Sequence, residues 1–184
     1  MMTNMADDEA RSMPPGWTVL SDDDRQRYWS AFELKFGEFR PGVEAENWPA
    51  ISEPVPSLTF DLSVTTPSPA WAARFDALNA EALRCFVEEF ADAEWVVLDW
   101  QHDGYRFDPA RHAGAFGARW EVSVYPDGDY YLFARPDLSE GTFGHPWEQT
   151  LCVFGSRLIG TLGRTLSTWL PLKRVDGQPL SSWS

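Results

Sequence analysis

G-T-F-G-H-P-W-E-Q-T-L-C-V-F-G, residues Gly141 to Gly155, is the densest run of special residues in the chain. Its first half, through Glu148, reads as a stiff loop. Glycine frees the backbone at 141 and 144, and proline restricts it at 146. Its second half, Gln149 to Phe154, reads as a strand. Gly155 and Ser156 break and cap. Leu158, Ile159, Leu162, Leu166, Trp169 and Leu170 then recur at helical spacing until Pro171. The fold is expected to be organised around this strand and this helix.

Upstream, short apolar runs alternate with turn residues. Asp129 to Arg135 is a strand stopped by Pro136, and Pro126-Asp127-Gly128 is the turn before it. In Trp120 to Tyr125, apolar Trp120, Val122 and Val124 alternate with Glu121, Ser123 and Tyr125, the pattern of a half-buried strand. Glu94 to Gln101 is nearly continuous in apolar residues, as in a central strand. His102-Asp103-Gly104 turns it into a return strand at Tyr105 to Phe107.

Before these strands, Trp71, Phe75, Leu78, Ala82, Phe86 and Phe90 mark the longest helix, starting at Ser68-Pro69. Ser57 to Val64 alternates as a strand. Arg40 to Pro56, with four prolines, is an extended connection. Ser21 caps a first helix, and Asp22, Asp23 and Asp24 favour its positive end. Trp29, Phe32 and Phe36 form its face, and Gly37 stops it.

The expected fold is therefore α+β. A mainly antiparallel sheet of about six strands is covered by three helices in a two-layer single domain. Residues 1–16 are expected as a disordered extension, 17–172 as the domain and 173–184 as a loose tail. The placement of the first strand in the sheet stays open.

The formal net charge is −13 over 184 residues, and the pI is about 4.5. Such an acidic chain is unsuited to a phosphate backbone or an anionic membrane, so neither nucleic acid nor membrane is expected as a partner. A basic protein is the partner its charge permits. No apolar run is long enough to span a bilayer. Cys85 and Cys152 read as free, buried thiols in a reducing compartment, hence a cytoplasmic location.

Three motifs carry a resemblance: F-G-H-P-W-E-Q-T-L-C-V-F-G ending at Gly155, D-W-Q-H at Asp99 to His102, and Y-P-D-G-D-Y-Y at Tyr125 to Tyr131. With the W-x-x-F of Trp29 to Phe32, they resemble a bacterial family of uncharacterised proteins, the domain of unknown function 2716 family. The similarity runs from about Trp17 to Leu172. It implies a bacterial protein, and it carries over no activity and no functional residue.

The sequence holds no P-loop, dinucleotide fingerprint or nucleophile elbow, so no cofactor is expected. The spacing of His102, His112 and His145 matches no zinc signature, so no metal is expected. The candidate catalytic pair is His145 and Glu148, a carboxylate able to orient an imidazole for proton transfer. Candidate binding residues are Trp147, His112, Asp129 and Asp99. In an uninterrupted antiparallel meander, His145 shares an end of the sheet with His112 and lies a strand length, about 20 Å, from His102.

Two functions fit. One is a non-catalytic protein-binding or immunity-like module that neutralises a basic partner. The alternative is a small hydrolase-like enzyme using the His145–Glu148 pair in the 141–148 loop.

Overall fold

A computed structural model describes residues 12–63, 69–91 and 93–180. The expected cap at Ser68, the end of the first strand at Val64, residues 1–11 of the extension and 181–184 of the tail lie outside the described residues.

The strands are β1 (Trp17–Val19), β2 (Ser57–Asp61), β3 (Trp95–Asp99), β4 (Gly104–Phe107) and β5 (Tyr131–Ala134). They continue with β6 (Gly141–His145), β7 (Thr150–Phe154), β8 (Leu172–Val175) and β9 (Gln178–Pro179). They form one sheet in the order β1-β4-β3-β5-β6-β7-β2-β8-β9. Every pairing is antiparallel. β2, whose place was open, lies between β7 and β8.

The principal helices are α1 (Asp22–Phe36) and α2 (Pro69–Glu89). Ser21 Oγ accepts the Asp24 N–H at 3.1 Å, which satisfies one of the free donors of α1. A short α3 (Pro109–Ala113) follows β4. The last helical run begins as α4 (Ser156–Leu158), passes through a π-helical stretch (Ile159–Gly163) and ends as α5 (Arg164–Leu166). Three helices were therefore too few.

The two-layer expectation is corrected as well. β3 turns Trp95 and Val97 to one face, where they pack with Leu78, Phe86 and Leu162 of α2 and the last helical run. It turns Val96 and Leu98 to the other face, with Phe32 and Phe36 of α1. The sheet is thus covered on both faces, which its continuously apolar central strand requires. Trp169, placed on the last helical face by spacing, is 43% exposed.

Four strands replace loops, and one expected strand is missing. Gly141 to His145 is a strand rather than a stiff loop. A Cβ at Gly141 would stand 2.2 Å from the Phe133 carbonyl oxygen and 2.7 Å from the Phe154 ring. At Gly144 it would stand 2.9 Å from the Pro126 side chain. Both glycines admit close neighbours instead of making a turn.

Residues expected in the loose tail belong to β8 and β9, and the sheet also gains β1. Trp120 to Tyr125, by contrast, is irregular. The Asn79 carbonyl of α2 accepts both the Val124 and Tyr125 N–H groups, at 2.8 and 3.1 Å. Val122 and Val124 are buried as their pattern requires, but Ser123 and Tyr125 of the alternate set are buried too, and the amides bond a side chain and form no ladder.

Candidate functional site

The register brings several strand ends together. Asp99 lies opposite Tyr131, Tyr131 opposite Gly144, and His145 opposite Thr150. The end of β3, the start of β5, the end of β6 and the start of β7 thus share one edge of the sheet. His102, in the turn after β3, belongs to this edge.

His112 belongs to the other edge, since β4 ends there at Phe107, opposite Trp17. The expected sharing of an end by His145 and His112 is therefore reversed. The added strand β6 is the cause: the 108–130 connection still crosses the sheet without forming a strand, and Gly141 to His145 then crosses once more, returning His145 to the side of His102.

His112 is buried against Trp17, Phe107 and Trp120. Its Nδ1 lies 3.2 Å from the Pro15 carbonyl and 3.3 Å from the Trp17 indole nitrogen. The carbonyl needs a ring N–H and the indole needs a lone pair, so one tautomer serves one partner. Burial holds the His112 pKa below its ordinary value.

His145 is 1% exposed. Its Nδ1 accepts the backbone N–H of Glu148 at 3.0 Å. Nε2, which then carries the proton, faces the Tyr130 hydroxyl at 3.4 Å. That hydroxyl also bonds the Gly42 N–H and carbonyl, at 3.0 and 3.2 Å. Burial pushes the His145 pKa down to about 4; the Glu148 charge opposes this and Arg174 reinforces it. The ring is neutral at pH 7.

The Glu148 carboxylate turns elsewhere. It accepts from Arg174 Nη1 and Nη2 at 2.6 and 2.8 Å and from the Thr150 hydroxyl at 3.0 Å. Lys173 Nζ lies 3.6 Å away. Arg174 also grips Glu53, with Nη2 at 2.8 Å and Nε at 3.0 Å. Burial alone would raise the Glu148 pKa, but the Arg174 hydrogen bonds and charge outweigh it and hold the carboxyl below its ordinary value. No sequence signal marked Arg174, because its two carboxylate partners are remote in sequence.

Across the sheet, Asp99 shares a face with Trp95 and Val97 by strand alternation. Asp99 and Asp129 are both nine-tenths buried. His102 Nδ1 lies 2.9 Å from Asp99 Oδ1 and 3.7 Å from Asp129 Oδ2. Asp129 accepts the Tyr130 N–H at 2.7 Å and the Gln101 N–H at 3.3 Å. Burial foremost, and then the neighbouring Asp129, raises the Asp99 pKa against the opposing His102. The Asp99 hydrogen bond raises that of His102.

Beside this cluster is a cavity of about 270 Å³, bordered by Trp71, Tyr125, Asp127, Pro146 and Trp147. Trp147, 36% exposed, lies against Tyr130 with centroids 5.1 Å apart. Asp127 is exposed and accepts the Ser123 hydroxyl at 3.1 Å. Of the sequence candidates, Asp99, Asp129, His145, Trp147 and Glu148 gather at this edge and His112 does not. His102, Asp127 and Trp71 join them. His102 and Asp127 stood in turns, and Trp71 in a helical stripe that reads as core.

Among the described residues, no helix is long and apolar enough to cross a membrane. The chain belongs to the family described as protein of unknown function (DUF2716), whose model matches residues 19–159. It is similar to the uncharacterized protein YxiI of Bacillus subtilis (strain 168), at 33% identity over 150 residues. That similarity covers 78% of this chain and 90% of the relative. No solved structure matches the chain.

Proposed function

We propose that this bacterial protein is a non-catalytic, cytoplasmic binding module that receives a basic side chain of a partner protein in the cavity beside Asp127. The observation that carries the reading is the cavity wall: three aromatic residues, Trp71, Tyr125 and Trp147, and an exposed carboxylate, Asp127. Aromatic faces attract a guanidinium or ammonium group, and a carboxylate at the rim pairs with it. The net charge of −13 would speed the approach of a basic protein.

The hydrolase-like alternative has less support. It needs the Glu148 carboxylate at the His145 ring, and that carboxylate is engaged by Arg174 and Thr150. It also needs an accessible base, and His145 is buried.

The test is calorimetric titration with a short arginine peptide. Saturable binding is expected, weakening as salt rises from about 50 to about 500 mM. Asp127→Asn and Trp147→Ala, both at exposed positions, should each weaken it. No saturable binding, or binding indifferent to both substitutions, overturns the reading.

A further inference from the structure

We infer that Asp99, His102 and Asp129 form a binding site for a divalent first-row transition ion, with Zn²⁺ the best match. The site is separate from the cavity proposed to receive a basic side chain, and neither depends on the other.

The first ground is spacing. One donor atom from each of the three residues lies within 4.8 Å of the others. His102 Nδ1 is 2.9 Å from Asp99 Oδ1 and 3.7 Å from Asp129 Oδ2. The longer distance is beyond a hydrogen bond. Yet metal–ligand bonds of about 2.0–2.2 Å place neighbouring ligand atoms roughly 3.0–3.5 Å apart. Two sides of the triangle, 2.9 and 3.7 Å, are already close to that spacing, and the third is within 4.8 Å.

The second ground is an uncompensated pair of buried acids. Asp99 and Asp129 are nine-tenths buried, with a carboxylate oxygen of each within 4.8 Å of the other. Among the described residues, neither forms an ion pair with a Lys or Arg; their one cationic neighbour is His102, whose side chain is 64% exposed. Two buried carboxylates with so little fixed positive charge are costly unless protonated or bridged by a cation. The salt-bridged Glu148 differs, since a buried Arg serves it on both oxygens.

The third ground is how the donors are held. Asp129 is aimed by two backbone N–H groups, from Tyr130 and Gln101. The turn carrying His102 is tied to α1 by Arg25, whose Nη1 donates to the His102 carbonyl at 3.0 Å. Such supports orient ligands before a metal arrives. The exposed side of His102 leaves a face open to solvent, as in sites with three protein ligands. One imidazole with two carboxylates suits Zn²⁺ better than Mg²⁺ or Ca²⁺, which prefer all-oxygen sets.

The experiment is calorimetric titration of chelator-stripped protein with ZnCl₂, alongside MgCl₂. Wild type should bind one Zn²⁺ per chain and show no comparable Mg²⁺ binding. Saturating Zn²⁺ should raise its melting temperature. His102→Ala should weaken Zn²⁺ binding by at least the roughly 10–100-fold that loss of even a supporting group costs. Its exposed ring makes folding of this variant independent of the metal question. Asp129→Asn should lose both binding and thermal shift. Absence of stoichiometric Zn²⁺ binding by wild type overturns the inference. So does Zn²⁺ affinity in His102→Ala within about twofold of wild type, because that would locate the ion elsewhere.

Discussion

Glu148 gives His145 its backbone N–H and gives Arg174 its carboxylate. The two side chains are neighbours with different partners. The imidazole is held by a main-chain donor and by Tyr130, and the carboxylate closes a buried bridge to β8. This arrangement makes His145 a neutral, buried post and Glu148 one arm of a clasp.

The clasp should be costly to open from its centre. Arg174, Glu53 and Glu148 have side chains only 8%, 2% and 3% exposed. Arg174→Met leaves two buried carboxylates with only the half-exposed Lys173, 3.6 Å from Glu148, as a cation beside them. A loss of about 3–5 kcal/mol is expected from urea midpoints. Replacing Glu53 and Glu148 by Gln in the same chain should recover much of it. A loss below about 1 kcal/mol would mean that the bridge is hydrated.

His145 should make the fold sensitive to mild acid. Its folded pKa of about 4 is below the ordinary 6.5. The unfolded chain therefore takes up this proton first. The contribution is complete above about pH 6.5 and is lost as pH falls toward 4. At about 1.4 kcal/mol per unit, the loss reaches roughly 3 kcal/mol. Urea midpoints from pH 7 to pH 4.5 should fall more steeply in wild type than in His145→Gln. Parallel curves would show that the ring protonates freely in the folded state.

Phe86→Ala should cost about 3–5 kcal/mol, as expected for emptying a buried aromatic site. Phe86 is fully buried, with its ring 4.1 Å from Trp95 and 6.1 Å from Phe133. Thermal or urea unfolding measures it directly. A cost under about 1 kcal/mol would place the aromatic stripe of α2 away from the sheet.

Both thiols should be free and slow to react. Cys85 and Cys152 are buried and unpaired. Burial pushes the Cys85 pKa up to about 11 and raises that of Cys152 as well. A thiol reagent should count two groups in denaturant and find both retarded in the native protein, since the thiolate is the reactive form. Rapid native reaction at either would contradict its burial.

Much of the fold was legible wherever the cause is local. The Ser21 cap and the glycine stop of α1 act within one or two turns of the chain. The stripe containing Leu78, Ala82 and Phe86 follows from helical spacing, and all three are buried. The hairpin at His102-Asp103-Gly104 joins β3 to β4 as its turn residues imply. Strand β8, between β2 and β9, was hidden because Lys173 and Arg174 interrupt its apolar pattern. Arg174 is buried only because Glu53 and Glu148 meet it there.

By itself, the sequence determined the antiparallel α+β character and most of the buried apolar faces, Trp169 excepted, since periodicity and capping are interactions between near neighbours. The tertiary structure decided how many times the chain crosses the sheet. Val122 and Val124 alternate like a strand and are buried like one. Their segment is not a strand because Asn79, 45 positions before Val124, takes its amides. A backbone N–H bonds whichever acceptor the folded chain presents, and that acceptor cannot be read from adjacent residues. The chain still crosses there as irregular backbone, and the further crossing by β6 put His145 at the edge of the sheet that holds Asp99, His102 and Asp129, with His112 at the other.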